Sequence, residues 1–155
     1  MQVYRVARST YINDLSGNGA RIYGGRWNHK GTGVIYASES RSLVMVECLV
    51  HVPLAIAPAD LRIAIIEIPD RVIPKQISKR DLPSNWRDYP APQELLEIGT
   101  NWVLKNESLL LRVPSAVVEN EFNILINPAH SDINMVKISR VDSFTFDRRL
   151  MRLPE

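Results

Sequence analysis

Six of the chain's seven glycines fall between Asp14 and Gly33, and no other feature restricts the fold so strongly. Glycine removes side-chain packing and widens backbone freedom. A segment of about 20 residues this rich in it is therefore not the interior of a regular helix or strand. It reads as a long irregular loop, and loops of that length inside a domain usually carry function. Strand-like runs bracket it. Gln2 to Ala7 alternates, with Tyr4 and Val6 on one side and Val3 and Arg5 on the other, and Gly33 to Ala37 reads as a second strand.

Beyond the loop, Ser38-Glu-Ser40 offers an N-cap for a helix that runs through His51 and is ended by Pro53. Leu43, Val46, Glu47 and Val50 recur at helical spacing on one face of it. Leu61 to Ile68 is apolar enough for a strand buried on both faces. Prolines 69, 74, 83, 90 and 92 punctuate an irregular stretch, after which a helix runs from Pro92 to Lys105 with Leu95, Ile98 and Trp102 facing inward. Short strands are expected at Leu109 to Val113, Ala116 to Val118, Phe122 to Ile126, Val136 to Ile138 and Ser143 to Phe146. Helices and strands follow in irregular order without repeat or linker, so the expectation is one α+β domain over residues 1–155, a mixed β core with flanking helices.

Several function classes are disfavoured. The net charge is +2, from 19 basic and 17 acidic residues without a like-charge block, which gives no footprint for nucleic acid. The densest basic run, Arg148-Arg149-Leu-Met-Arg152, is short and reads as a solvated tail. The single cysteine, Cys48, excludes a disulfide scaffold and makes a reducing compartment the default. The N-terminus has no apolar signal region, and Leu49 to Pro69 is too interrupted to span a membrane, so a soluble, cytoplasmic protein is expected. Gly17-Asn-Gly19 lacks the third glycine of a dinucleotide fingerprint, and there is no Walker loop or nucleophile elbow. His29, His51 and His130 lack metal-ligand spacing, so no metal is expected, and Cys48 reads as packing rather than as a nucleophile beside His51.

Four places remain. In Gly24-Gly25-Arg26-Trp27-Asn28, two glycines let backbone approach a ligand and Arg26 offers a fork to phosphate; the same letters also spell a turn with a surface arginine stacked on Trp27. Tyr36 ends the second strand, either as an ordinary strand tyrosine or as a ring for a flat ligand. Glu47 shares a helix face with Leu43, Val46 and Val50. Burying a carboxylate costs several kcal/mol unless it is paired, so that face lines a cleft or Glu47 serves a buried arginine. Ser115, after Pro114, is either a turn serine or a hydrogen-bonding group at a strand end.

Together these residues resemble the RES domain, named for its arginine, glutamate and serine. The resemblance runs through Tyr4-Arg5-Val6, Gly24 to Asn28, Val34 to Ser40, Leu43 to His51 around Glu47, Glu67 to Asp70, Leu110 to Val118 around Ser115, and Asn123 to His130. It implies an ADP-ribosyltransferase-like fold and the toxin of a type II toxin–antitoxin pair that degrades NAD by hydrolysis or phosphorolysis of the nicotinamide–ribose bond. NAD is then a substrate and not a resident cofactor. It also implies an Xre-like helix-turn-helix antitoxin whose C-terminal segment occludes the active site. On this basis Arg26, Tyr36, Glu47 and Ser115 form the active-site set, with Arg26 expected on the pyrophosphate, Tyr36 against the nicotinamide or its ribose, Glu47 on a ribose hydroxyl and the developing charge, and Ser115 at the nicotinamide-ribose end. Trp27 and Asn28 are further pocket candidates. Two alternatives stand beside it: transfer of ADP-ribose to a protein, and a non-enzymatic interaction module in which Arg26 and Glu47 form a structural ion pair.

Overall fold

Short segments, with apolar residues in all but the two-residue Lys75–Gln76, pair into one mixed sheet, and two longer amphipathic helices cover one of its faces. The computed structural model describes residues 1–53 and 56–151. The strands are β1 (Gln2–Arg8), β2 (Ile35–Ser38), β3 (Leu61–Glu67), β4 (Lys75–Gln76), β5 (Leu110–Pro114), β6 (Phe122–Ile126) and β7 (Lys137–Ser143); the helices are α1 (Asn18–Tyr23), α2 (Arg41–His51) and α3 (Gln93–Lys105). The sheet order is β4-β5-β6-β2-β1-β3-β7. Among the described residues only the short β4–β5 pair is parallel.

Register decides which residues meet. Val113 lies opposite Asn123, Asn123 opposite Ser38, and Ser38 opposite Tyr4, so one transverse row crosses β5, β6, β2 and β1. One row away on the same face, Tyr36 faces Leu125 and Leu125 faces Leu111. Leu111, Val113 and Leu125 pack with Leu95, Trp102 and Val103 of α3 and with Trp27. The opposite face carries Val3, Ile35, Ala37, Ala64, Ile66, Ile124 and Ile126, closed by Ile12 and Val136 from connecting segments. The Ser40 hydroxyl caps α2 by accepting from the Leu43 N–H at 3.0 Å, as its sequence position predicts. Pro92 stands at the N-cap of α3, and Asn106 closes it in a left-handed conformation.

Four local expectations are corrected. The glycine-rich segment contains a six-residue helix, α1, with Gly17 (φ 70°) before it and Gly24 (φ 73°) after it. A Cβ on Gly17 would lie 2.7 Å from the Val34 nitrogen, so the turn into α1 tolerates nothing larger. Val50 is 57% exposed, because α2 turns Val44, Glu47 and Cys48 towards a cleft instead. Ala116 to Val118 form a bend and not a strand, and the two expected C-terminal strands are one, β7, ending at Ser143. Arg152 of the basic run lies outside the described residues.

Candidate active site

The turn after α1 separates two neighbouring side chains. Gly25 and Asn28 exchange both backbone hydrogen bonds, at 3.1 and 3.4 Å, which leaves Arg26 and Trp27 at the tip. Trp27 enters the core beside Leu95 and Trp102, while Arg26 stays half-buried on a cleft. The Tyr36 hydroxyl holds the turn from inside: it accepts from the Trp27 N–H at 3.0 Å and donates to Asn28 Oδ1 at 2.7 Å. The Asn28 amide donates to the carbonyls of Ala20, His29 and Thr32, tying the end of α1 to the loop beyond. Gly25 is required there, since a Cβ would lie 2.6 Å from the Tyr36 hydroxyl. From the other side, Thr100 on α3 accepts from the His29 N–H at 2.9 Å.

Glu47 stands on the cleft face of α2. Two donors converge on its Oε1: the Ser115 hydroxyl at 2.7 Å and the Asn123 amide at 2.6 Å. Both are neutral, and Glu47 lines the cleft, which settles the choice left open by the sequence in favour of a cleft-facing carboxylate. Ser115 is 1% exposed, and its oxygen also accepts from the backbone N–H groups of Val117 (3.1 Å) and Val118 (2.9 Å). The one proton of that hydroxyl is therefore committed to Glu47. Asn123 is held in turn by Ser38, whose hydroxyl donates to Asn123 Oδ1 at 2.7 Å.

The cleft has a volume of about 510 Å³, within the range of small-molecule sites. Its walls are largely apolar, with Val6, Ala20, Val44 and Val52 among them, and Arg26 and Glu47 bring its permanent charges. Arg26 donates to the carbonyls of Trp86 at 2.8 Å and Asp88 at 3.1 Å. Burial pulls its guanidinium below the ordinary arginine value, and the Glu47 carboxylate is the largest influence opposing that. An arginine remains cationic throughout. Burial also pushes Tyr36 well above the ordinary phenol value, against the Trp27 N–H and Arg26, and pushes the half-buried Cys48 thiol up. Among the described residues no three His, Cys, Asp or Glu side chains are placed to hold a metal ion, and no helix is long and apolar enough to cross a membrane.

The predicted residues thus come together, though not in the expected roles. Arg26, Tyr36 and Glu47 line one cleft, whereas Ser115 sits behind Glu47. Asn28 is fully buried with its amide consumed by the turn, and Trp27, at 2% exposure, borders the cleft chiefly as core. Asn28 is therefore a frame residue and not a pocket residue. Asn123 and Ser38 were missed. The available signal was a polar side chain within the apolar strand Phe-Asn-Ile-Leu-Ile.

Residues 2–148 match the family model described as the RES domain. A protein named Toxin Res from Yersinia enterocolitica is 42% identical, over 97% of this chain and 99% of its own. A protein named Prs ADP-ribosylating toxin from a Sphingobium species is 38% identical, over 94% and 92%. Among solved structures, a chain from the crystal structure of the M. tuberculosis MbcT–MbcA toxin–antitoxin complex superposes with a TM-score of 0.73, covering 93% of this chain and 84% of that one at 19% identity, which is a likeness of fold. With its single α+β domain, its seven-stranded mixed sheet and a match along nearly its whole length, the chain belongs to the RES domain family, whose relatives here are named as toxins.

Proposed function

We propose that the protein is the toxin of a bacterial toxin–antitoxin pair and degrades NAD by breaking its nicotinamide–ribose bond. The observation that carries this is Glu47: one carboxylate, fixed through a single oxygen by Ser115 and Asn123, in a cleft of nucleotide size that also holds Arg26. The chemistry suits one carboxylate. In NAD the ribose C1′ is bonded to a cationic pyridinium nitrogen. On cleavage the bonding pair leaves with nicotinamide, which departs neutral, and positive charge develops on the ribose. No proton has to reach the leaving group, so the second carboxylate used by glycosidases is unnecessary.

Glu47 holds a ribose hydroxyl and stabilises the developing charge. Water then adds to C1′ and releases a proton, giving ADP-ribose; phosphate in place of water gives the ADP-ribose 1-phosphate. Arg26 takes the pyrophosphate with the N–H groups its two carbonyl contacts leave over. Tyr36 offers the substrate its ring, because its hydroxyl is engaged in the turn. Ser115 acts through Glu47 and not on the substrate, which revises the role implied by resemblance.

The toxin names of the relatives, and the toxin–antitoxin complex that contains the structural neighbour, support an antitoxin partner. By family likeness that partner is an Xre-like helix-turn-helix protein whose C-terminal segment blocks the cleft, and the toxin acts in the cytoplasm. A second reading, transfer of ADP-ribose to a protein, is supported by the name of the Sphingobium relative and differs only in the nucleophile that reaches C1′.

Incubation of the purified protein with NAD tests both. Hydrolysis yields nicotinamide and ADP-ribose, phosphorolysis yields the 1-phosphate only when phosphate is present, and transfer leaves an ADP-ribose mass on an added cell extract protein. Absence of nicotinamide release in all three settings, together with no NAD binding by calorimetry, overturns the proposal in favour of a non-enzymatic interaction module. Wild-type rates in both Glu47→Ala and Arg26→Ala overturn the site.

A further inference from the structure

We infer that Asn123, backed by Ser38, is a positioning residue that aims Glu47 at the substrate while leaving its negative charge intact. This rests on the NAD-cleaving role proposed for Glu47. Asn123 is a polar intrusion in β6, whose Ile124, Leu125 and Ile126 are fully buried. Such a side chain costs free energy unless it is hydrogen-bonded, and here both ends of its amide are. The amide has one acceptable orientation. Turned over, its carbonyl would face the carboxylate of Glu47 with lone pairs opposed, so the N–H points to Glu47 and the carbonyl accepts from Ser38. The transverse row that sets Ser38 opposite Asn123 in the sheet makes this relay a consequence of strand register.

The two donors on Glu47 come from separate parts of the fold, Asn123 from β6 and Ser115 from the turn after β5, and both reach Oε1. Among the described residues none donates to Oε2, so that oxygen of the cleft-lining Glu47 is left open to a substrate hydroxyl. Holding a carboxylate by neutral N–H and O–H groups fixes its rotamer without cancelling its charge, as a lysine or arginine would. A group meant to stabilise a developing cation has to be held this way. The other ionisable groups lining the cleft are Tyr23, Arg26, Tyr36, Cys48 and His51. Nearby Glu39 and Arg112 are paired with each other, and Arg112 lies over the Phe122 ring.

The test compares Asn123→Ala and Asn123→Asp with wild type from pH 5 to 9, as kcat and KM for NAD. Asn123→Ala lowers kcat by about 10- to 100-fold with KM within about threefold, since a misplacement of about 1 Å costs that much. Asn123→Asp puts two carboxylates face to face and is nearly inactive at pH 8. It regains activity relative to wild type as the pH falls, because the pair then shares one proton and the introduced carboxylic acid can donate as the amide did. Taking the ratio to wild type at each pH removes the pH dependence that the two proteins share. Wild-type kcat in Asn123→Ala, or a ratio for Asn123→Asp that is flat in pH, overturns the inference. An arm without turnover uses the 15N-resolved side-chain amide of Asn123, whose resonances shift in Glu47→Gln; unmoved resonances overturn it as well. A wild-type protein that releases no nicotinamide, while the Asn123 amide still responds to Glu47→Gln, removes the proposed function and leaves the positioning contact standing.

Discussion

Gly99 sits in the middle of α3, where alanine is the better helix former by about 1 kcal/mol. Propensity alone therefore predicts that Gly99→Ala stabilises the protein. The packing predicts the reverse. A Cβ at position 99 would lie 1.8 Å from the Trp27 carbonyl oxygen and 2.9 Å from its carbonyl carbon. Both are backbone atoms of the turn that carries Arg26, so no flexible side chain can swing aside. Either α3 retreats from the sheet, uncovering Leu95 and Trp102, or the turn moves. Overpacking costs about 1–3 kcal/mol where side chains can yield and more where they cannot, so about 3 kcal/mol is the working figure here. After the helix gain, a net loss of about 2 kcal/mol remains. For a chain of this size that lowers the melting temperature by about 4–8 °C, measurable by calorimetry or circular dichroism. Because the displaced turn carries Arg26, KM for NAD rises as well. A melting temperature that stays level or rises would refute the close approach of α3 to Trp27, and with it this explanation of how Arg26 is placed.

Three further outcomes are expected. Tyr36→Phe removes the hydroxyl that serves both Trp27 N–H and the buried Asn28 Oδ1, and is destabilised by about 2–4 kcal/mol in denaturant titrations even without NAD; a cost near zero shows that the hydroxyl does not hold the turn. Arg26→Ala raises KM for NAD by 10-fold or more and harms affinity more than Glu47→Gln does, since a charged hydrogen bond contributes about 1.5–3 kcal/mol; the opposite ranking by calorimetry contradicts the phosphate role. Cys48 reacts slowly with a disulfide reagent at pH 7, because burial raises its thiol value and only the thiolate attacks. Its rate climbs as the pH rises, and ADP-ribose in the cleft slows it further, whereas fast reaction at pH 7 without protection argues against the cleft wall.

Much of this was legible in the residues, for physical reasons. The Ser40 cap, the Pro92 start and the apolar β3 are each specified by local chemistry, and each forms where expected. α1 escaped because none of its residues is buried, so Asn18 to Tyr23 carries no apolar period to read. β7 read as two pieces because Ser139 and Arg140 interrupt its apolar pattern, as an edge strand permits. Val117 and Val118 favour strands by type, but the Ser115 hydroxyl takes their N–H groups and bends the chain. At the site, Arg26 and Glu47 stood out as charges in unusual company. The direction of the Tyr36, Asn28 and Ser115 polar atoms did not, because it depends on contacts between residues far apart in the chain. Gly99 did carry a signal, as a lone glycine inside a helical pattern.

If Glu47 governs scission of the nicotinamide–ribose bond, its neutral replacement has to slow the bond-breaking step itself. Single-turnover cleavage of NAD, with enzyme in excess, isolates that step in wild type and Glu47→Gln. Wild type is expected to release nicotinamide completely, and the variant to do so about 10²–10³-fold more slowly, with NAD affinity within a few-fold. Equal rates in the two proteins, or a loss in the variant explained wholly by weaker NAD binding, would contradict the role of Glu47.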